Sequence, residues 1–209
     1  MNDSALQYLS YEDLRRRAEE FLTAHHPDRT LPVPIEEIAE FELSLEIGLV
    51  PGLKGILAEA EIEGYLYGNL KGIAIDLDIY EQVYVRARFT LAHELGHLIL
   101  HPEMYSKYSG ETGNFEERLQ FMRAIPEESY WRFEWQAKAF AGLVLVPGDL
   151  LRNSVAQNVI VARNAGVQMK GPDDPNWGYI CEGVKGPFNV SSQVIDIRMD
   201  KDGLKGIEY

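Results

Sequence analysis

Residues 88–102 read RFTLAHELGHLILHP and contain the pattern H-E-x-x-H, which is formed by His93, Glu94 and His97. Residues four positions apart on a helix lie one above the other on the same face, so both imidazoles can bind one ion at about 2.0–2.1 Å. Glu94 lies one step round the helix from His93, beside such an ion but outside its ligand set. A general base for metal-activated water occupies this position. The pattern therefore predicts a helix that carries a metal site and its proton acceptor.

Apolar residues surround the histidines at helical spacing, so we expect this helix to be buried. They are Phe89, Ala92, Leu95, Gly96, Leu98, Ile99 and Leu100, and Pro102 ends the run. Glycine in the middle of a helix costs about 1 kcal/mol relative to alanine, so we expect Gly96 to make room for another element or for substrate. The alternative, two core histidines and an exposed glutamate, leaves two unpaired imidazoles on a buried face, where a metal is the simplest partner.

A hydrolytic zinc site needs a third protein ligand and an open fourth position. No histidine follows His101, so we expect the third ligand to be a carboxylate. The best candidate is Glu134 in FEWQAKAFAGLVLVP, residues 133–147, a segment with its own helical pattern. Glu134 borders the apolar stripe of that helix, where a carboxylate is costly unless it is paired or bound to metal. The alternative is a glutamate at the rim that pairs with Lys138, four residues further on.

These two segments together resemble a known family. The run RFTLAHELGHLILH, followed 37 residues after His97 by E-x-Q-A-x-x-F-A-x-x-x-L-V-P, is similar to the ImmA/IrrE metallopeptidases, small intracellular bacterial and phage proteins with a gluzincin-like site. The resemblance implies that His93, His97 and Glu134 are metal ligands. It implies further that Glu94 is the general base and that the substrate is a regulatory protein, such as a helix-turn-helix repressor. The family usually has Asn or Asp where this chain has Lys138, a change that removes a possible acceptor for a ligating histidine and adds positive charge near the metal.

Composition limits the compartment and the partners. The chain has 209 residues, 33 acidic against 20 basic residues, and a formal net charge of −13, which argues against nucleic-acid binding as a main activity. The acidity forms a solvated surface or, alternatively, steers the protein toward a basic partner such as a DNA-binding repressor. A single cysteine, Cys181, excludes an internal disulfide. No membrane-length apolar run and no basic segment followed by an apolar one is present, so we expect a cytoplasmic protein.

The remaining pattern predicts an α+β fold. Ser10 and Asp13 resemble a capping box that starts a helix over residues 11–24. From Leu43 the apolar period changes to two, which indicates strands near residues 43–47, 56–62 and 73–77. We expect a small mixed or antiparallel sheet, packed against the metal-binding helix and the helix of Glu134, with one face buried and the other solvated. An edge strand at residues 56–66 or 73–77 could hold an extended peptide beside the site.

Three residues that follow His97 in the sequence are candidates for stabilising an oxyanion. A tyrosine or histidine that hydrogen-bonds the developing charge would assist peptide hydrolysis, and His101, Tyr105 and Tyr108 stand close by in sequence. Residues 103–125 mix serine, glycine and charged residues, and we expect this segment to be irregular.

The C-terminal part, residues 151–209, is predicted to be an accessory and mostly helical region that follows a metallopeptidase domain at residues 1–150. Residues 171–179, GPDDPNWGY, form a loop by composition, and Ser191 or Ser192 caps a last helix that Gly203 ends. The ending F-x-V-S-x-x-x-x-x-x-R-[LM] resembles that of the ImmA/IrrE family and is similar to the second half of a helix-turn-helix. Because the surrounding charge is acidic, we interpret it as a packing or partner-recognition element.

Taken together, the residues predict a metal-dependent endopeptidase that uses zinc, although the same donor set also accepts manganese, iron or cobalt. Two alternatives remain at this point. The protein could be a metal-bound regulator that binds a repressor without cleaving it, or the ion could be purely structural. A structural site has four protein ligands, whereas the sequence offers three.

Overall fold

Helices pack on a small three-stranded sheet in the computed structural model, which describes residues 6–56, 62–108 and 115–207. The α+β prediction is confirmed. The helices are α1 (Tyr11–His25), α2 (Ile35–Glu37), α3 (Leu77–Gln82), α4 (Tyr84–Leu100), α5 (Pro102–Tyr108), α6 (Phe115–Ala124), α7 (Glu127–Leu145), α8 (Gly148–Asn164), α9 (Trp177–Phe188) and α10 (Ser192–Lys201). The strands are β1 (Glu46–Val50), β2 (Gly64–Leu66) and β3 (Gly72–Asp76).

Helix α1 begins where the capping box predicts. The Ser10 hydroxyl accepts a hydrogen bond from the Asp13 amide at 3.2 Å, and the Asp13 carboxylate accepts one from the Ser10 amide at 3.0 Å. Two of the amides that a helix start leaves unpaired are thereby satisfied. The apolar face of α1, which buries Leu14, Ala18, Phe21 and Leu22, packs against α7.

The sheet is mixed, with strand order β1-β3-β2. Strand β1 pairs with β3 in parallel and β2 pairs with β3 antiparallel. Because β3 is the central strand, both of its edges are already hydrogen-bonded, so the expectation that residues 73–77 could bind a peptide along an edge is wrong. The short strand β2 lies beside β3 at the outside of the sheet and packs against α4. Among the described strands, β2 pairs with β3 alone, so its other edge is not paired with a strand.

Both faces of β3 are buried, so the expectation of one solvated sheet face is also wrong. The second face is covered by a small apolar cluster that includes Leu53, Tyr65 and Ala74, with Phe115 of α6 packed against it. Residues 103–125 therefore do not form an irregular segment throughout, because α5 and α6 occupy most of the described part and α6 closes this face. The strand predicted near residues 56–62 lies largely outside the described residues.

Helices α4 and α7 form the most extensive helix pair. They approach each other at Gly96, where an added Cβ would lie 2.9 Å from the Ala137 carbonyl oxygen and 3.0 Å from its Cα. The expectation that Gly96 makes room for another element is confirmed, and the element is the backbone of α7. This contact sets the distance between the histidines of α4 and Glu134 of α7.

Helix α9 packs against both α8 and α10. Leu151 and Val155 of α8 belong to the same buried cluster as Leu143 of α7. Ser191 caps α10 by accepting from the Val194 amide at 3.3 Å. The division of the chain near residue 150 stays a prediction. Within the described residues, none of the helices combines the length and apolar character needed to cross a bilayer.

Candidate metal centre

Two imidazole nitrogens of α4 face the same point. The Nε2 atoms of His93 and His97 lie 3.1 Å apart, which is the result expected for residues one helical turn apart on a single face. His97 is fully buried, and the His93 side chain is 12% exposed. The Phe133 ring stacks on the His97 ring at 4.0 Å between centroids and so fixes its orientation.

Glu134 of α7 completes a triangle of donor atoms with the two histidines. Its carboxylate oxygens lie 3.4 Å from His93 Nε2 and 3.6 Å from His97 Nε2. Donor atoms about 2.0–2.1 Å from a tetrahedral zinc ion are separated by roughly 3.3 Å, and the three observed separations bracket this value. Oε2 of Glu134 makes the contact with His93 and Oε1 makes the contact with His97, so the carboxylate and both imidazoles are close enough to hold one metal ion of this size.

The charge state of these groups suits a cation. Burial lowers the pKa of His97 well below its usual value, so the ring is neutral and its Nε2 lone pair can bind metal. Burial alone would raise the pKa of Glu134, but interaction with the two imidazoles, first of all a hydrogen bond from His93, outweighs it and holds that pKa far below its usual range. The set therefore consists of neutral imidazole and an ionised carboxylate, which are common zinc ligands.

Lys138 lies beside this set. Its ammonium is 3.9 Å from Glu134 Oε2, and the lysine side chain is 62% exposed. The ion pair that the sequence allowed is therefore present, but Glu134 faces both histidines as well, so the pair does not account for its position. An exposed pair of this kind is weak, worth about 0–1 kcal/mol.

Glu94 is held in place by the sheet. Its side chain is 2% exposed, and Oε2 accepts a hydrogen bond from the Leu66 backbone amide of β2 at 2.8 Å. The other oxygen, Oε1, lies 3.9 Å from His93 Nε2 and so faces the donor triangle. One carboxylate oxygen is thus occupied and the other is directed at the position where a metal and a water would meet. His93, Glu94 and His97 each offer a ligand atom within 4.8 Å of the others.

Two of the three oxyanion candidates, His101 and Tyr105, are buried and have other contacts. Both ring nitrogens of His101 are engaged, with Nδ1 3.1 Å from His97 Nδ1 and Nε2 2.8 Å from Gln136 Oε1. Tyr105 is 1% exposed and stacks on Phe121, away from the site. Tyr108 is the last residue of α5, and its side chain lies outside the described residues. Neither His101 nor Tyr105 can therefore reach a substrate.

Two groups beside the donor atoms were not predicted from the sequence. The Leu66 amide belongs to the backbone of a three-residue strand, and no side-chain pattern marks it. Gln136 does leave a signal, because it is a polar residue two positions after Glu134 within an apolar helix, and it is completely buried. A buried polar side chain needs hydrogen-bond partners, and that requirement points to a neighbour such as His101.

The family comparison agrees with this geometry. The model of the IrrE N-terminal-like domain, Peptidase_M78, matches residues 84–200, which is more than half of the 209 residues. The chain belongs to the ImmA/IrrE family of metallopeptidases. As a member of this family, it is a metal-dependent peptidase with a protein substrate. The matched part of this ImmA/IrrE protein begins at α4, includes α7 and ends within α10. No curated protein matches the chain significantly.

Proposed function

We propose that the protein is a zinc endopeptidase in which His93, His97 and Glu134 hold the ion and Glu94 is the general base. The observation that carries this assignment is the convergence of two imidazole nitrogens and the Glu134 carboxylate, at separations of 3.1–3.6 Å, beside a buried carboxylate that already has one oxygen fixed. Manganese or iron would be held by the same donors, and the choice of zinc rests on the mixed nitrogen and oxygen set.

The reaction is hydrolysis of a peptide bond. Zinc held by the three ligands would supply Lewis acidity, which lowers the pKa of the attacking water toward about 7 and polarises the peptide carbonyl. Glu94 Oε1 accepts one proton of that water while the water oxygen bonds to the carbonyl carbon. Glu94 then returns the proton to the amide nitrogen as the carbon–nitrogen bond breaks. The second proton of the water passes from the new carboxylic acid to the amine, so the products are a carboxylate and an ammonium group. The Leu66 amide keeps the Glu94 carboxylate directed at the water during both transfers.

The substrate is proposed to bind along β2. On either side of this strand, Glu63 and Tyr67 hydrogen-bond to Asp76 and Gly72, so the backbone groups of Gly64 and Leu66 point away from β3. The Leu66 amide is bound to Glu94, which leaves both backbone groups of Gly64 and the Leu66 carbonyl for a peptide. An extended peptide beside this edge would lie next to Glu94, and backbone hydrogen bonds would hold it with little dependence on its side chains.

We propose a transcriptional repressor of the helix-turn-helix type as the substrate. The net charge of −13 supports a basic partner of this kind, because opposite charge accelerates encounter. The test is incubation of the zinc-loaded protein with purified repressors encoded near its gene, followed by mass spectrometry of the products. Cleavage at one or a few sites, slowed by rising salt, is the expected result. Absence of cleavage of every candidate at all salt concentrations would count against this substrate.

A second candidate function is a metal-bound regulator that binds a repressor without cleaving it. Lys138 favours it, because an ammonium 3.9 Å from Glu134 Oε2 competes with a metal for the same carboxylate. The two functions separate in one experiment, since a regulator would form a stable complex with the repressor and leave its mass unchanged. Comparison of Lys138→Asn with the natural protein then shows whether the lysine is the reason.

A further inference from the structure

A buried row of polar groups lies behind His97, on the side away from the donor triangle. His97 Nδ1 is 3.1 Å from His101 Nδ1, and His101 Nε2 is 2.8 Å from Gln136 Oε1. Gln136 Nε2 donates to the Gln7 backbone carbonyl at 3.0 Å. His97, His101 and Gln136 are each at most 3% exposed. The row connects the N-terminal segment, α7 and α4, and we call it the relay.

The positions of the hydrogens in the relay follow from the hydrogen bond between Gln136 and the Gln7 carbonyl. A backbone carbonyl can only accept, so the Gln136 amide group must direct its NH₂ toward Gln7 and its oxygen toward His101. That oxygen also can only accept, so His101 Nε2 carries the hydrogen of this bond. In a neutral imidazole the other nitrogen is then an acceptor, which makes His101 Nδ1 the acceptor for His97.

His101 is neutral because its surroundings do not compensate a charge. Its Nε2 faces an amide oxygen, its Nδ1 faces another imidazole, and the Phe133 ring lies 4.6 Å from its ring centroid. Neither ring nitrogen donates to a carboxylate, and burial makes a charged imidazole costly. His97 therefore donates its Nδ1 hydrogen to His101, and the lone pair of His97 lies on Nε2, the atom that faces His93 and Glu134.

We propose that His101 and Gln136 are positioning residues that set the metal-binding tautomer of His97 before any ion arrives. This inference rests on the ligand set of the proposed function and adds the reason why Nε2 of His97 is a ready donor. Partners behind ligating histidines fix the ring and raise its basicity, and their loss typically weakens metal binding by about 10–100-fold. The effect is confined to one histidine, because His93 Nδ1 is buried without a hydrogen-bond partner among the described residues.

The direct test is nuclear magnetic resonance of the full chain, ¹⁵N-labelled at histidine, without metal and at pH 8. Long-range proton–nitrogen correlations report which ring nitrogen carries the hydrogen. We expect the hydrogen on Nδ1 of His97 and on Nε2 of His101, both before and after zinc is added. A metal-free protein with the hydrogen on Nδ1 of His101, or on Nε2 of His97, would overturn the proposal without any variant being needed.

The second test measures zinc affinity by competition with a chelator of known affinity. Gln136→Met removes the acceptor at nearly constant volume, and we expect zinc to bind at least tenfold more weakly. Gln157→Met, at an exposed position of α8, is the matched control and should bind zinc as the natural protein does. Circular dichroism of each variant checks that α7 still forms. A folded Gln136→Met protein that binds zinc within twofold of the natural protein would overturn the positioning role.

These outcomes are independent of catalysis. A protein that binds zinc with the expected tautomers but cleaves nothing would contradict the proposed endopeptidase and leave the relay supported. A Gln136→Met variant that cleaves its substrate normally and binds zinc with unchanged affinity would contradict the relay and leave the endopeptidase supported. The two proposals therefore fail separately.

Discussion

A Cβ added to Gly96 would lie 2.9 Å from the carbonyl oxygen of Ala137, so α4 and α7 touch backbone to backbone at one position. Gly96 is one residue before His97, and Ala137 is three residues after Glu134. The two helices supply every proposed ligand, and their spacing at the contact decides whether three donor atoms converge. The glycine therefore belongs to the proposed metal site although it binds nothing.

Gly96→Ala is expected to separate the helices. Real Cβ atoms do not approach a backbone oxygen so closely, and forced repacking costs about 1–3 kcal/mol, more than the roughly 1 kcal/mol that alanine returns within a helix. We expect a lower midpoint of thermal unfolding and weaker zinc binding. Gly178→Ala in α9 is the control, because its added Cβ meets no described atom within 4 Å. Equal stability and zinc affinity of the two variants would contradict this account of the contact.

Glu94→Gln is expected to abolish peptide hydrolysis while leaving the metal content unchanged. The amide keeps an oxygen that can accept from the Leu66 amide but cannot take a proton from water, and loss of a general base costs about 10²–10⁴-fold in kcat. Rates against a cleaved repressor and metal analysis of the same sample provide the measurement. Retained cleavage in this variant would eliminate the proposed mechanism.

Glu134→Gln is expected to lose most of its zinc. An amide is a much poorer ligand than a carboxylate, and two histidines alone do not complete a hydrolytic site. Glu128→Gln, at an exposed position near the start of the same helix, is the control and should keep its zinc. Metal-to-protein ratios after dialysis against a mild chelator distinguish the two variants. If both retained zinc equally, Glu134 would not be a ligand.

Lys138→Asn is expected to tighten zinc binding modestly, by about two- to tenfold. The ammonium 3.9 Å from Glu134 Oε2 opposes a cation at the site, but its exposure allows solvent to screen it. The gain should therefore shrink as ionic strength rises. Titration with zinc at two salt concentrations is the measurement, and a loss of affinity would show that Lys138 supports the site.

The metal-free protein is expected to lose stability as pH falls from about 6.5 to 4. Burial lowers the pKa of His101 to about 4, whereas an unfolded histidine has a pKa of about 6.5. In this window the unfolded chain binds the proton and the folded protein does not, so about 3 kcal/mol of stability disappears. His97 acts in the same direction. Denaturant unfolding at several pH values should show a shallower decline in His101→Asn, and an identical decline would contradict this prediction.

The fold class and the proximity of His93, His97 and Glu134 could be predicted because they rest on side-chain type and spacing. Three local patterns are preserved in the fold: the i, i+4 histidines of α4, the capping box of α1 and the partly buried carboxylate of α7. The role of Gly96 followed from the same kind of reasoning, since a glycine within an apolar helix is costly unless something approaches it.

The sheet resisted prediction because strand order depends on distant partners. The period-two pattern at Ile73 and Ile75 marks a strand but does not say whether it is central or at an edge. Here β1 pairs in parallel with β3, which requires the intervening hairpin strand to lie on the other side. The covering of the second face by Phe115 from α6 is likewise a contact between segments far apart in sequence.

If Glu94 is the general base as proposed, its hydrogen bond from the Leu66 amide makes hydrolysis depend on the pairing of the β2–β3 hairpin. Amides of a strand point alternately to its two sides, so this amide reaches Glu94 only while Leu66 pairs with Ile73. A slip of one residue would turn it toward β3 and leave the carboxylate free to rotate. Substitutions in the β2–β3 turn that permit such slippage would yield a protein that binds metal but does not hydrolyse peptides. The H-E-x-x-H residues of this protein would be unchanged.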